Sequence, residues 1–318
     1  MGNKRCLFCY GFLEKENIDF HPACSRKFFE TKTPPVLPYS ENEMLKLGEQ
    51  VIKSQTTVTG VQPKLSLELS KPSGTSEPQR FTIVGLWGNY ILKPPTKEYR
   101  NLPELEDVTM HLASLAGIPA VPHSLIRLNS GSLSYITKRI DRTNHHKIHM
   151  EDMCQLTERL TEHKYQESYE QIGKAIIRYS ENPVLDIIYF LEQILFSFLT
   201  GNADMHLKNF SLIDQPGSGY VLAPAYDMVA SNLVVEGDDE DLALTLNGKK
   251  KKILRNDFLY VFNRFDLNKK TQENIFAKFR KAIPKWHNFI DISFLPPDMK
   301  QQYHDLIIRK SLQIGLIH

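Results

Sequence analysis

The stretch from Val184 to Thr200 constrains this chain most, because it is almost wholly apolar and runs without a break into Gly201-Asn-Ala-Asp-Met-His-Leu-Lys-Asn209. By length alone it is about long enough to cross a bilayer. Its apolar residues Val184, Ile187, Ile188, Leu191, Ile194, Leu195 and Phe198 repeat as one face of a helix, however, and Asp186, Glu192 and Gln193 lie inside the run. That pattern predicts a buried amphipathic helix of a globular unit, not a membrane span. A core helix that empties into Gly-Asn-x-Asp holds the next loop rigidly from below, which is a way to fix polar groups for chemistry. The apolar run Phe210-Ser-Leu-Ile213 closes the cluster on its other side.

Within the cluster, Asp204 precedes Asn209 by five residues, and Asp227 follows in Ala225-Tyr-Asp227 after the β-like stretch Tyr220-Val-Leu-Ala223. Phosphoryl transfer needs a carboxylate to orient a hydroxyl and take its proton, an amide oxygen on one Mg²⁺, and a second carboxylate on Mg²⁺ bridging the phosphates. Taken alone, Asp-x₄-Asn also fits a capped loop in which both side chains bond backbone amides. Upstream residues add to the match. Lys93 ends the strand-like Tyr90-Ile-Leu-Lys93, and Glu106, with Glu104 as second candidate, sits in the helical pattern Leu102 to Ala116 and could fix it. Thr57-Val-Thr-Gly-Val-Gln-Pro-Lys64 lies between a helical segment and a strand and could fold over phosphates. Its single glycine sets it apart from a Walker loop or a Gly-rich kinase loop.

The wider pattern is α+β with two lobes. Residues 1–38 form an N-terminal segment closed by the stiff linker Thr33-Pro-Pro-Val-Leu-Pro38. A first lobe over 39–140 holds strands at Leu65–Leu69, Arg80–Val84, Tyr90–Lys93 and Ser134–Ile140, and a helix that stops at Gly117. The second lobe, 141–318, is expected to be all helical, with helices near 151–163, 168–180, 183–200, 255–264, 270–282 and 297–314. Leu242–Leu246 followed by Asn247-Gly248 predicts a hairpin. Its rim pairs Asp238-Asp-Glu-Asp241 with Lys249-Lys-Lys-Lys252, either a solvated face or a contact for tRNA or an acidic partner. Lys plus Arg is 39 against 37 Asp plus Glu, a net charge of +2, too balanced for a surface built wholly for nucleic acid; local basic patches stay open, and no direct DNA binding is expected.

Cys6, Cys9 and Cys24 crowd the N-terminus with His21, as Cys-x₂-Cys and His-x₂-Cys. Two such pairs fit a structural Zn²⁺ knuckle, and a segment this short needs a staple to fold. Packed thiols without metal, or redox use, are the alternatives. Cys154 reads as a small buried residue. Three cysteines in a local cluster, with no apolar signal stretch at the N-terminus, point to a reducing, cytoplasmic setting.

Thr57–Lys64, Thr137-Lys-Arg-Ile-Asp-Arg142, Glu151-Asp-Met-Cys-Gln155, Gly201–Asn209 and Pro224–Asp227 resemble the HipA-like serine/threonine kinases, toxins of bacterial toxin–antitoxin systems. The resemblance implies a bilobal protein-kinase-like fold, with the zinc-knuckle-like segment as an appendage, and ATP with Mg²⁺ as cofactors. By position it makes Asp204 the catalytic base, with His206 near the γ-phosphate and Lys208 in the same loop. Asn209 and Asp227 become the Mg²⁺ ligands, and Lys93 holds the ATP phosphates. Thr59, Gly60, Val61, Gln62 and Lys64 form the phosphate loop, and Lys138, Arg139 and Ile140 form the hinge beside adenine. Family members commonly autophosphorylate a serine at the head of that loop; Thr57 stands there in this sequence, with Thr59 as alternative. The resemblance also implies an aminoacyl-tRNA synthetase as substrate, translation arrest, and a helix-turn-helix DNA-binding antitoxin. Longer relatives carry an extra N-terminal domain that 318 residues do not hold, so the chain resembles the short kinases of three-gene systems, in which that domain is a separate small antitoxin. An aminoglycoside-type small-molecule phosphotransferase and a non-catalytic kinase-like scaffold are the competing readings.

Overall fold

The computed structural model describes residues 4–15, 18–44, 46–47, 64–70, 79–84, 88–143, 146–237 and 239–317. The chain divides into two compact units, residues 1–107 with 121–145, and residues 108–120 with 146–318.

In the first unit, α1 (Pro22–Phe29) packs on a five-stranded antiparallel sheet. Its strands are β1 (Leu65–Ser70), β2 (Arg80–Ile83), β3 (Tyr90–Lys93), β4 (His123–Arg127) and β5 (Leu133–Lys138), in the order β2-β1-β3-β5-β4. Leu65 and Leu67 of β1 are buried and Ser66 and Glu68 are partly exposed, the period-two pattern read from the sequence. Phe28 and Phe29 of α1 stack edge-on against each other, Phe29 against Phe81, and Phe28 against Tyr90. The segment before the proline linker is therefore part of this unit's core. Central β3 pairs with β1 and β5 on its two sides, which fixes Lys93 opposite Tyr135.

The division between units falls inside α2 (Leu102–Leu115). The second unit contains α3 (Met153–Leu156), α4 (Tyr169–Tyr179), α5 (Pro183–Thr200), α6 (Arg255–Arg264), α7 (Lys269–Asp291) and α8 (Pro297–Gln313). It is not all helical. A three-stranded antiparallel sheet, β6 (Met150–Asp152), β7 (Ser211–Gln215) and β8 (Gly219–Leu222), is ordered β6-β7-β8. Helix α5 has mean hydropathy 1.5 and is 72% buried within the protein, so it is a core helix. Its internal charges have partners. Asp186 accepts from Ser180 Oγ at 2.5 Å and from the Leu222 amide at 2.7 Å, and Glu192 pairs with Lys278 at 2.6 Å.

Beyond this sheet in a lobe expected to be all helical, three further expectations need correction. The helix expected over 151–163 is β6, the four-residue α3 and a single 3₁₀ turn at Thr161–His163. Asp152 accepts from the Gln155 amide and Gln155 caps back, which starts α3 at Met153, and Glu158 at φ 56° ends it. Helix α7 runs on to Asp291 through Pro284, where the sequence pattern stops at 282. A mid-helix proline costs about 3 kcal/mol; two residues on, Trp286 anchors this part of the helix, donating from its indole to Leu112 O at 2.8 Å and packing on Phe196 and Phe279. The hairpin expected at Leu242–Leu246 has its turn, with Asn247 at φ 51° and Gly248 at φ 73°, but among the described residues it forms no strand pair: Leu246 bridges Lys249, and the Asp241 and Leu242 amides both donate to Lys250 O. Thr245 instead bridges in parallel to Ser168. The lysines beside it are paired, Lys249 with Asp257, Lys250 with Glu240 and Lys251 with Asp239, so the charge block is largely neutralised.

Candidate active site

The polar segment after α5 is built around a tight helix end. Gly201 takes φ 67°, an angle that favours glycine, and a Cβ there would lie 2.6 Å from Leu306 Cδ2, so a larger residue would also have to displace the Leu306 side chain. Asn202 then turns the chain, its Oδ1 accepting from the Asp204 amide at 3.2 Å. The Ala203 amide donates to Ser231 Oγ at 2.9 Å and Tyr169 donates its hydroxyl to Met205 O at 3.0 Å. The backbone that carries Asp204 is thus pinned from several elements of its unit.

Asp204 is partly exposed, and its Oδ1 accepts from the Tyr165 hydroxyl at 2.5 Å. Asn209 donates its amide nitrogen to Asp204 O at 2.8 Å. That bond assigns the remaining Asn209 oxygen as the atom available to a cation, the role Mg²⁺ ligation requires. Asp227 sits at φ 55°, an uncommon angle for a residue other than glycine and the kind of strain held at functional positions. Its neighbour Ala225 is tied to Pro119 O at 2.8 Å, and Tyr226 donates to Lys208 O at 3.0 Å. These contacts set the Asp227 segment beside the Asp204–Asn209 segment.

His206 is 6% exposed and lies edge-on to Tyr165 at 4.9 Å between ring centres. Burial pushes its pKa down to about 4, against the pull of Asp204 and Asp227, so the imidazole is neutral at pH 7. Its Nδ1 is buried with no hydrogen-bond partner among the described residues, and neither has Asn202 Nδ2. Such orphaned atoms, with the Asn209 oxygen and the Asp227 carboxylate, fit a site completed by a polar ligand. Lys208 is engaged by Asp152 Oδ2 at 2.6 Å, the same carboxylate that caps α3.

In the first unit, Lys93 Nζ meets Glu106 Oε1 at 2.5 Å, with both side chains almost fully buried. Of the two candidate carboxylates, Glu106 takes the lysine; Glu104 bonds Asn101 instead, and burial raises its pKa. Lys138 pairs with Glu30 at 2.8 Å, Arg139 forks onto Asp141 at 2.9 and 2.7 Å, and Ile140 begins the turn after β5. Lys64 is exposed just ahead of β1. Thr57, Thr59, Gly60, Val61 and Gln62 lie outside the described residues. Tyr165, Ser231 and Tyr226 were not anticipated. Tyr226 lies in the Pro224–Asp227 motif but carried no role there, and Tyr165 and Ser231 belong to no spaced motif; each reaches the site only through folding.

The mixed α+β topology is that of a protein-kinase-like fold of the HipA type. The chain belongs to the family of HipA-like C-terminal domains, whose model matches residues 56–287. A Haemophilus influenzae protein named as a kinase by inference is 31% identical over 208 residues, 62% of this chain and 58% of its own. The Shewanella oneidensis serine/threonine-protein kinase toxin HipA is 28% identical over 216 residues, 61% of this chain and 47% of its own. This chain thus spans about half the length of the curated relatives it matches. Among solved structures, a chain of the Shewanella oneidensis complex of HipA, HipB and operator DNA superposes with TM-score 0.66 at 22% identity, covering 86% of this chain and 71% of that one. The Helicobacter pylori proinflammatory kinase CtkA superposes with TM-score 0.51 at 19% identity over 71% of this chain and 87% of that one.

Proposed function

We propose that this chain is an ATP-dependent serine/threonine protein kinase of the toxin type. The observation that carries the reading is the Asp204–Asn209 segment, in which a pinned carboxylate and an oriented amide oxygen stand in the order and spacing phosphoryl transfer uses. Asp204 would orient the attacking hydroxyl and take its proton, and Tyr165 would hold the carboxylate in place until substrate arrives. Bound Mg²⁺, held by Asn209 and Asp227, would supply charge neutralisation on the transferred phosphoryl group. Neutral His206 would offer a hydrogen bond there without adding charge. Lys93, fixed by Glu106, would neutralise nucleotide phosphates, and Lys138, Arg139 and Ile140 would border the base. The decisive experiment is incubation with labelled ATP and Mg²⁺, wild type beside Asp204→Ala, read by mass spectrometry for modified Ser and Thr. Transfer that persists in the variant rejects the assignment of Asp204.

Membership in the HipA family supports the finer reading. The substrate would be a protein hydroxyl, with an aminoacyl-tRNA synthetase as first candidate and growth arrest as outcome. Thr57, or else Thr59, would accept phosphate as self-regulation, since a dianion beside nucleotide phosphates opposes binding. Phosphopeptide mapping after ATP treatment tests this, and an unmodified pair refutes it. The partners would be a helix-turn-helix antitoxin that contacts DNA in place of this chain, and a small protein resembling the N-terminal domain of longer relatives. The setting would be the cytoplasm.

A further inference from the structure

We infer that Cys6, Cys9, His21 and Cys24 form a tetrahedral zinc site that clamps the N-terminal segment and, through Tyr10, braces the helix carrying Glu106. The four ligand atoms all lie within 4.8 Å of one another, and the three thiols are free. For Zn–S near 2.3 Å and Zn–N near 2.0–2.1 Å, tetrahedral geometry sets the S···N edge at about 3.5 Å. His21 Nδ1 lies 3.4 Å from Cys9 Sγ and 3.7 Å from Cys24 Sγ, on either side of that value. His21 also donates from Nε2 to Phe12 O at 2.8 Å. That bond fixes the tautomer with the Nδ1 lone pair toward the sulfurs, the outer support metal-bound histidines use.

Two backbone devices present the ligands. The Cys6 amide bonds Gly11 O and the Tyr10 amide bonds Cys6 O, closing a knuckle around the first pair. His21 caps α1, whose first residue is Pro22, and this places Cys24 in the opening turn. With three thiolates and one imidazole the sphere is full, which marks a structural site and not a catalytic one.

The knuckle is tied directly to the rest of its unit. Leu7 O accepts from the Leu125 amide and from Ser124 Oγ. Tyr10, held at φ 61° within the knuckle, is fully buried and donates its hydroxyl to Asp107 Oδ2 at 2.6 Å. Asp107 adjoins Glu106 in α2 and also holds His123 at 2.7 Å. Ordering the knuckle therefore orders the helix turn that presents the partner of Lys93.

The test uses the full chain and makes no use of kinase activity. Protein purified without added metal is analysed for metal content, then stripped and reloaded with Co²⁺ alone. About one zinc per chain is expected, and intense tetrahedral d–d bands with thiolate charge transfer from cobalt. Cys9→Ser, at the most exposed ligand, should weaken metal binding about tenfold or more, while Cys9→His keeps the tetrahedral spectrum and Cys154→Ser changes neither. Chelation should lower the Tm of wild type more than that of Tyr10→Phe; equal losses overturn the brace through Tyr10. If Cys9→Ser does not fold, the wild-type cobalt spectrum decides. Metal-free protein that takes up no tetrahedral cobalt, or iron–sulfur absorption in the purified chain, overturns the zinc site.

Discussion

At the scale of single residues, burial decides what the ionisable side chains do. Lys93 and Glu106 are a buried ion pair, and removing one partner of such a pair strands the other charge at a cost of about 3–5 kcal/mol. Glu106→Leu should therefore destabilise the protein by that order in urea denaturation. Lys93→Met combined with Glu106→Leu should recover most of the loss while leaving any phosphoryl transfer abolished. His206 gives a pH signature. Its native pKa of about 4 lies below the ordinary 6.5, so between these values the unfolded chain binds a proton that the native chain does not. Its share of stability is fully present above pH 6.5 and falls as the pH drops toward 4, by up to roughly 3 kcal/mol. His206→Gln should flatten that acid limb in thermal melts at pH 7, 5.5 and 4.5. For Asp204→Asn, loss of a positioned base predicts a rate lower by about 10²–10⁴-fold with little change in Tm.

Among the elements, the ends matter more than the middles. Gly201 closes α5 in a left-handed turn against Leu306, so Gly201→Ala adds strain and a clash, with an expected loss of about 1–3 kcal/mol. Because Asn202 follows directly, the same variant should also lower activity by displacing Asp204, read as kcat in the labelled-ATP assay. Asp152 serves two elements, capping α3 and binding Lys208. Asp152→Ala should cost about 1–2 kcal/mol by loss of the cap. Helix α5, its terminal glycine and β1, β2 and β3 were all legible in the sequence, since each rests on a local period or a φ > 0 requirement. The expected 151–163 helix was not, because Asp152, Gln155 and Glu158 break it through capping and a left-handed residue that apolar spacing does not encode. The C-terminal part of α7 was not legible either: the apolar pattern stops at 282, and the helix runs on to Asp291 where Trp286 meets Leu112 and Phe196, which lie far away in the chain.

Across the molecule, charge and hydrophobic pattern bounded the answer early. A net charge of +2 and a polar-interrupted apolar helix argued against a wholly basic binding surface and a membrane span, and the helix is buried within its unit. The sequence by itself determined the local chemistry: the Asp204–Asn209 spacing, the Cys–His pairs, the lysine ending a strand and the glutamate candidates in a helix. Each of these features is set by a short stretch of chain, within which helix, strand and turn geometry fix how its own residues are placed. Only the tertiary structure decided that Glu106 and not Glu104 takes Lys93, that Tyr165 holds Asp204, and that Tyr10 reaches Asp107 across 97 positions. Such contacts depend on which buried face each helix presents once packed, and that is a property of the whole core, not of any local stretch.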